Sequence, residues 1–365
     1  MITKMITKLR KTSYLLIIMA AFMSVGMGPG KNTVEVQKER LAWPPPPWEP
    51  RIEFLYSITT PDDFQIKKGF FRRVWEFFAG ESREGFIKPF GVFADDNGRL
   101  YVTDTADQSV HVFDPKDSKY FAIEGIDKKR RLSSPIGVAV DKDRNIYVSD
   151  SVTKRVYVFN EKGEFLREIG TDHIMKRPTG IAIDKASGTL YVVDTIANNI
   201  LVYSLDGRYI KTIGEYGSGN GQFNRPTFIS IGSDGNLYIT DTMNIRVQIL
   251  DKNGKFVGKF GRRGNAAGDL ANPRGIALDS EGHIYITDTL FEAVTIFDKS
   301  GQPLLVFGRQ GMKHGEFALP GGISISNDDK IYVADSYNMR VQVFRYIKSL
   351  QSTVHGSQQL NNRKQ

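Results

Sequence analysis

Short apolar runs alternate with polar turn residues along most of the chain, and one pattern returns six times. Each copy reads Leu or Ile, then Tyr, then two further residues and Asp, and the tyrosines lie 44–47 residues apart. The six copies begin at Leu100, Ile146, Leu190, Leu237, Ile284 and Ile331. Runs of this length that are rich in β-branched and aromatic residues are typical of strands. The pattern predicts a repeated all-β structure and excludes helical repeats, which need a 3.6-residue period.

Each repeat contains four predicted strands. An apolar run beginning with proline precedes each tyrosine strand, at Pro89, Pro135, Pro178, Pro226, Pro273 and Pro320. A third run follows the Asp, and dipeptides such as Asn253 with Gly254 predict a tight hairpin into a fourth. Four antiparallel strands in 44–47 residues are the size of one propeller blade. We predict an all-β six-bladed β-propeller of four-stranded antiparallel blades over residues 51–348.

The two ends of the predicted ring suggest how it closes. The last repeat has only three strands, ending at Phe344, and residues 53–58 resemble the outer strand of another repeat. We predict that the N-terminal strand completes the sixth blade, since this pairing removes an exposed strand edge. Residues 61–80 interrupt the pattern with apolar residues at helical spacing. We predict a short helical insertion there that packs on the propeller, with contact to a membrane surface as the alternative.

The segments outside the repeats have their own signatures. Four basic residues precede an apolar run from Tyr14 to Val25, which is shorter than the roughly 20 residues that span a bilayer. We predict a signal peptide over residues 1–26 and export to the periplasm or the extracellular space; an uncleaved membrane anchor is the alternative. Residues 27–50 are rich in proline and are predicted to be an extended linker, either a stiff spacer or a docking segment. Residues 349–365 are predicted to be disordered.

Composition narrows the possible functions. The chain contains no Cys, which excludes disulfides, thiolate zinc sites and thiol catalysis. The formal net charge is +8, but residues 27–365 carry 45 basic against 41 acidic residues. No dense basic stripe is present, so a nucleic-acid partner is not favoured.

The most regular repeat reads Tyr332-Val333-Ala334-Asp335-Ser336-Tyr337-Asn338-Met339-Arg340-Val341-Gln342-Val343-Phe344. The loop before it carries Gly308, Gly311, Gly315, Phe317 and Pro320, and similar loops precede the two repeats before it. These positions together resemble the NHL repeat, and the resemblance covers residues 86–346. It implies a six-bladed propeller. The family includes interaction modules and has enzymes among its relatives, so the fold does not settle the function.

The strand-end aspartates recur in every repeat, whereas an active site is normally asymmetric. We interpret them as framework residues whose carboxylates accept backbone N–H bonds from the following turns, and we assign no catalytic residue. These aspartates are Asp104, Asp150, Asp194, Asp241, Asp288 and Asp335.

A metal-dependent propeller enzyme, similar to an amidating lyase or a lactonase, is the alternative. The resemblance implies His ligands around the channel of the lyase relatives. The histidines here are His111, His173, His283, His314 and His355, and no pair has a regular ligand spacing. Calcium would use oxygen ligands from any loop. We assign no metal ligand and no cofactor, and leave Ca and Zn open.

Basic residues cluster on one predicted face of the ring, which is formed by the loops that enter the first strands and leave the second strands. Four of them flank the prolines: Lys88, Arg177, Arg225 and Arg274. Three more stand five residues after a repeat Asp: Arg155, Arg246 and Arg340. The alternative is that each Arg bridges to a carboxylate of a neighbouring blade. We hypothesise an exported, monomeric, non-catalytic binding propeller that recognises a protein or an anionic envelope ligand through this face.

Overall fold

The computed structural model describes residues 41–64, 85–171 and 173–348. The predicted signal peptide, most of the predicted helical insertion and the predicted disordered tail lie outside these residues. Within the described chain, the strands form six large antiparallel sheets that follow one another along the sequence. The prediction of a six-bladed propeller with four-stranded blades is confirmed.

The strands and short helices have the following bounds. Two strands and a 3-10 helix precede the first blade: β1 (Ala42–Trp43), β2 (Ile52–Ile58) and Pro61–Phe64. Blade 1 contains β3 (Pro89–Ala94), β4 (Leu100–Asp104), β5 (Ser109–Asp114) and β6 (Lys119–Ile123). Blade 2 contains β7 (Pro135–Val140), β8 (Ile146–Asp150), β9 (Arg155–Phe159) and β10 (Phe165–Ile169). Blade 3 contains β11 (Pro178–Asp184), β12 (Thr189–Asp194), β13 (Asn199–Ser204) and β14 (Tyr209–Ile213).

A short parallel pair, β15 (Glu215–Tyr216) and β16 (Gln222–Phe223), lies in the loop that leads to blade 4. Blade 4 contains β17 (Pro226–Ile231), β18 (Leu237–Asp241), the 3-10 helix Thr242–Asn244, β19 (Arg246–Leu250) and β20 (Phe256–Phe260). Blade 5 contains β21 (Pro273–Leu278), β22 (Ile284–Asp288), β23 (Ala293–Phe297) and β24 (Pro303–Phe307). Blade 6 contains β25 (Pro320–Ile325), β26 (Lys330–Asp335) and β27 (Arg340–Tyr346), and β2 is its fourth strand.

The core is divided into six apolar clusters, each shared by two adjacent blades. Blades 1 and 6 share one of them: Val92 and Val102 pack there with Val341 and Val343. Each inner strand is therefore covered on both sides, which explains its nearly continuous apolar sequence. Hydrogen bonds join the same two blades, since Ser336 Oγ donates to the Pro89 carbonyl at 2.6 Å. The ring thus closes between the last repeat and the first.

The sixth blade joins the two ends of the described chain. Strand β2 pairs antiparallel with β27, with Ile52 opposite Tyr346 and Ile58 opposite Val341. Both isoleucines are completely buried. Apolar side chains of β2 thereby complete the clusters on both sides of blade 6.

Residues 41–50 differ from the prediction of an extended linker. Strand β1 adds a fifth strand to blade 6 beside β2, and the Arg51 amide donates to the Trp43 carbonyl at 2.6 Å. The Trp43 ring packs against Phe307 and Phe344, each at 5.8 Å between centroids. The linker prediction is wrong here because burying the large indole surface favours a folded-back segment over an extended one. Only residues 27–40 of that predicted linker lie outside the described chain.

The predicted hairpins between third and fourth strands have the backbone that their sequences require. Gly163, Gly207, Gly254 and Gly301 all adopt positive φ, between 83° and 97°. Glycine occupies this region without the steric penalty that a Cβ atom brings.

Candidate functional site

One face of the ring is defined by the register of the first two strands in each blade. Every repeat proline pairs with the repeat Asp of its own blade, as Pro89 does with Asp104 and Pro320 with Asp335. All six pairs lie at the same end of their sheets. We call the surface at this end the proline face. It is formed by the residues that precede the six prolines and by those that follow the six aspartates.

The repeat aspartates hold the loops of the proline face in place. All six are completely buried. Asp104 accepts the amides of Ile87 and Lys88 at 2.7 and 2.9 Å, and those of Ala106 and Asp107 at 3.0 and 2.9 Å. The other five carboxylates also accept amides from the loop before the proline. Their oxygens are thus occupied by donors of the protein itself.

Hydroxyl groups next to these aspartates bind consecutive blades together. Thr103 Oγ1 donates to the Ile136 carbonyl of the next blade at 2.9 Å, and Thr240 Oγ1 donates to the Arg274 carbonyl at 2.7 Å. Ser149 and Thr287 donate in the same way to the Thr179 and Gly321 carbonyls of the blades that follow theirs. A Ser or Thr residue recurs before the Asp in the sequence, and this recurrence could have indicated the contact between blades. These bonds anchor the starts of the inner strands.

Two of the predicted binding arginines belong to the framework. Arg246 and Arg340 are buried, and the Nε of each donates to its own blade's Asp241 or Asp335 at 2.8 Å. The remaining guanidinium donors bind carbonyls of the glycine loop, such as that of Gln222 at 2.8 Å from Arg246. Their assignment to an exposed basic face is wrong, because each is the strand residue paired with the repeat Asp and folds over its carboxylate.

The other five predicted basic residues have different environments. Arg155 is partly buried and lies 3.8 Å from Glu168 of its own blade. Lys88, Arg177 and Arg225 are exposed on the proline face. Arg274 is half-buried, and its guanidinium lies over the Phe90 ring at 5.8 Å from the centroid. Arg274 therefore belongs to the mouth of the central channel and not to the open surface.

Large apolar side chains surround these cations. The second residue after the repeat Asp is apolar and 48–71% exposed in five blades. These residues, which we call the apolar rim, are Val152, Ile196, Met243, Leu290 and Tyr337. A loop tip normally carries small or polar residues, so the recurrence of apolar ones was a signal in the sequence. The predicted binding face did not include them.

The inner strands enclose a central cavity of about 310 Å³. At the proline face, Phe90 of blade 1 stacks on Phe228 of the opposite blade 4, with the ring centroids 6.0 Å apart. At the other face, Lys185 Nζ lies 3.1 Å from Asp96 Oδ2, and Asp96 Oδ1 accepts a hydrogen bond from Asn327 at 2.8 Å. The channel therefore has an aromatic mouth and a charge-compensated mouth.

The histidines that the metal alternative would use lie in separate places. His111 is buried in blade 1, His283 contacts Asp279 at 2.8 Å in blade 5, and His314 packs against Phe54. His173 is exposed, and His355 lies outside the described chain. Within residues 41–64, 85–171 and 173–348, no three His, Asp or Glu side chains are grouped to hold a metal ion.

The buried His111 makes the stability of blade 1 sensitive to pH. Its Nδ1 lies 2.9 Å from the Tyr120 hydroxyl and its Nε2 lies 3.1 Å from Ser109 Oγ. Burial lowers the pKa of His111 below its usual 6.5, against the opposing effect of Asp104, Asp107 and Glu124. The unfolded chain then binds the proton more readily than the folded one. The histidine's stabilising contribution is therefore present above pH 6.5 and is lost as the pH falls below it.

We expect the urea midpoint to decrease between pH 7.5 and 5.5, and His111→Gln to reduce this decrease. Gln is a suitable replacement because Gln248 and Gln342 occupy the equivalent buried position in blades 4 and 6. His173→Gln, at an exposed histidine, is the control and should retain the wild-type pH dependence. Equal pH dependence in wild type and His111→Gln would contradict the assignment.

The fold and this face define a class: a six-bladed β-propeller with framework aspartates beneath one decorated surface. Comparison with protein families agrees, with NHL repeats matched at residues 132–159 and 317–344. A 6-bladed beta-propeller family matches at residues 177–236 and 232–290. The chain therefore contains NHL repeats and has the six-bladed propeller fold. No curated protein matches the sequence.

Solved structures share the architecture at low identity. A streptogramin B lyase is 16% identical, with 72% of this chain and 94% of that chain covered and a TM-score of 0.55. A protein of unknown function from Bacteroides thetaiotaomicron VPI-5482 is 17% identical, with 72% and 70% covered and a TM-score of 0.58. A chain of a nidogen/laminin complex is 20% identical, with 68% and 86% covered and a TM-score of 0.51. At these identities the likeness shows the fold alone. In the described part of the chain, no helix has the length and apolarity to cross a membrane.

Proposed function

We propose that the protein is an exported, non-catalytic binding propeller that holds a protein partner on its proline face. The observation that carries this proposal is the apolar rim, where five blades each expose one large apolar side chain at the same loop position. An exposed apolar set of this kind, bordered by polar residues, is typical of a protein interaction site. A polysaccharide would instead need many hydrogen-bonding groups in place of Val, Ile, Met and Leu.

The charge of the face favours an acidic partner. Lys88, Arg177 and Arg225 are exposed within the rim, and none of their side chains forms an ion pair with another residue of the described chain. The apolar side chains would supply buried area in a complex, and the cations would orient the partner. Complementary charge also speeds the encounter, and salt should weaken this effect.

We expect the triple change Val152→Ser, Leu290→Ser and Tyr337→Ser to abolish capture of the partner from envelope extract. Three anchors lost at about 1–2 kcal/mol each correspond to a loss in affinity of more than about a hundredfold. The measurement is quantitative capture on immobilised protein, with the captured chain identified by mass and then titrated in purified form. Thermal melts should show that the variant remains folded, because these side chains are exposed.

The chain offers a matched control on the outer strands of the blades. Leu166, Val257 and Leu304 are 44–54% exposed but lie in the fourth strands, away from the proline face. Changing these three to Ser should leave capture intact. Capture lost equally in both triple variants, or in neither, would contradict the proposal. The change of Lys88, Arg177 and Arg225 to Ala should weaken binding at low salt and flatten its salt dependence.

The proposal of export is supported by the basic N-terminus and the apolar run from Tyr14 to Val25 that follows it. The intact mass of the mature chain tests it, and a full-length cytoplasmic species would overturn it. A metal held stoichiometrically by the purified protein would favour the alternative of a metal-dependent lyase or lactonase.

A further inference from the structure

The channel mouth at the proline face breaks the symmetry of the repeats. In five blades the second residue after the repeat proline is Gly, and neighbouring inner strands approach closely there: a Cβ atom on Gly91 would lie 2.0 Å from the Ile136 carbonyl oxygen. Blade 4 has Phe228 at this position, and its ring reaches Phe90 of the opposite blade. The fold of the repeat does not require a phenylalanine at this position. The mouth of the channel is therefore a candidate ligand site.

Arg274 is the second exception at the same mouth. The equivalent residues are Phe90, Ile136, Thr179, Thr227 and Gly321, none of which is charged. The Arg274 guanidinium lies over Phe90, and its Nε is buried without a hydrogen-bond partner among the described residues. A buried donor without a partner is unfavourable by itself, and a charged donor more so. A ligand that accepts this hydrogen bond would remove the penalty.

A second arginine of the proline face acts on Arg274 through its charge. Burial lowers the pKa of Arg274, and the positive charge of Arg177 lowers it further. Neither arginine forms an ion pair with another residue of the described chain. At the opposite mouth the cation Lys185 is paired with Asp96. No carboxylate of the described residues pairs in the same way with Arg274 or Arg177, because the repeat aspartates of the proline face are occupied by backbone amides and by residues of their own blades. An anion from outside the chain would therefore be attracted to the positive charge of these two arginines.

We propose that Arg274 and Arg177 form a seat for a carboxylate group of the bound ligand at the channel mouth. A guanidinium presents parallel donors that match the two oxygens of a carboxylate. The assignment rests on the proposed function in one respect: a protein partner carries its negative charge on Asp, Glu and terminal carboxylates, so an acidic group of that partner is the occupant. The apolar rim then surrounds this central contact.

The probe is glutarate, which presents the carboxylate of an acidic side chain, in buffer free of other carboxylates and of phosphate. Glutarate at about ten times its dissociation constant should raise the melting temperature of the full protein by about 2–4 °C. Arg274→Gln should lose this shift, and Arg177→Gln should weaken glutarate binding at least about fivefold. Arg208→Gln, at an exposed residue in the β13–β14 turn at the other end of blade 3, should retain the wild-type shift. Uncharged glutaramide should have no effect.

The melting temperature of the ligand-free variant distinguishes a ligand-binding role of Arg274 from a structural one. Removing a desolvated charge with no partner should leave the melting temperature of Arg274→Gln equal to or above that of wild type. A lower melting temperature together with a retained glutarate shift would make Arg274 a structural residue and overturn the seat. A shift by inorganic phosphate that exceeds the one by glutarate would overturn the carboxylate assignment. If Arg274→Gln does not fold, Arg177→Gln decides, since its side chain is exposed.

The same variants distinguish failure of the seat from failure of the proposed function. The rim variant should lose the partner and keep the glutarate shift, because its changes lie outside the channel mouth. Arg274→Gln should lose the glutarate shift and weaken partner capture at least about tenfold. If it loses the shift and captures the partner normally, a seat for small carboxylates exists, but its assignment to the partner is overturned.

Discussion

Deleting residues 51–58 is expected to abolish the cooperative thermal transition of the propeller. The deletion removes β2, whose Ile52 and Ile58 are completely buried in the clusters on both sides of blade 6. Burial of these two side chains alone contributes about 3–6 kcal/mol, against a total stability of about 5–15 kcal/mol for a domain. The deletion also exposes the edge of β27, which can then pair with another chain. Calorimetry and light scattering measure the two effects.

Point variants give a graded version of this test. Ile58→Ala should lower the free energy of unfolding by about 2–4 kcal/mol, the usual range for a buried large-to-small change. Ile210→Ala in β14 is the matched control, because that isoleucine is 49% exposed on the outer strand of a complete blade. It should change stability by no more than about 0.5 kcal/mol. An unchanged melting temperature after the deletion would mean that the ring is held without its closing strand.

Asp335→Ala is expected to destabilise the protein by about 3–5 kcal/mol. Asp335 accepts hydrogen bonds from the Ala318 amide at 2.8 Å and from the side chains of Asn338, Arg340 and Gln342 at 2.8–3.0 Å. Its removal leaves the Arg340 guanidinium buried without its carboxylate, which is the more destabilising way to break a buried pair. Urea unfolding of the variant measures the loss.

The other blades supply the controls for this prediction. Asp150→Ala should lower the free energy of unfolding by less, about 1–3 kcal/mol. Asp150 accepts hydrogen bonds from backbone amides, and the arginine of its blade pairs with Glu168 instead. Asp143→Ala, at an exposed residue, should be nearly neutral. The double variant Asp335→Ala with Arg340→Ala should be less destabilised than the sum of the single changes. Equal losses at Asp335 and Asp143 would contradict the framework role.

The repeats were predictable because their chemistry is local. A strand period, a hairpin glycine and a strand-end carboxylate each act over a few residues, so the pattern indicates four strands per repeat and the position of Asp104 and its five counterparts. The apolar rim is also visible in the sequence, as a large apolar residue two positions after the Asp in five repeats. It was not predicted, because the exposure of that position becomes evident only once the fold places its loop on the surface.

The amino-acid sequence by itself determined the number of blades, their strand order and the recurring geometry of their turns within the chain. Only the tertiary structure decided which cations are free. The sequence pattern places Arg246 and Arg225 on the same face, yet Arg246 is buried because carbonyls from 24–28 residues earlier converge on its guanidinium. Arg274 meets Phe90 only when the closed ring brings blades 1 and 5 to one channel mouth. Burial of a charge depends on groups distant in sequence, and local patterns carry no information about them.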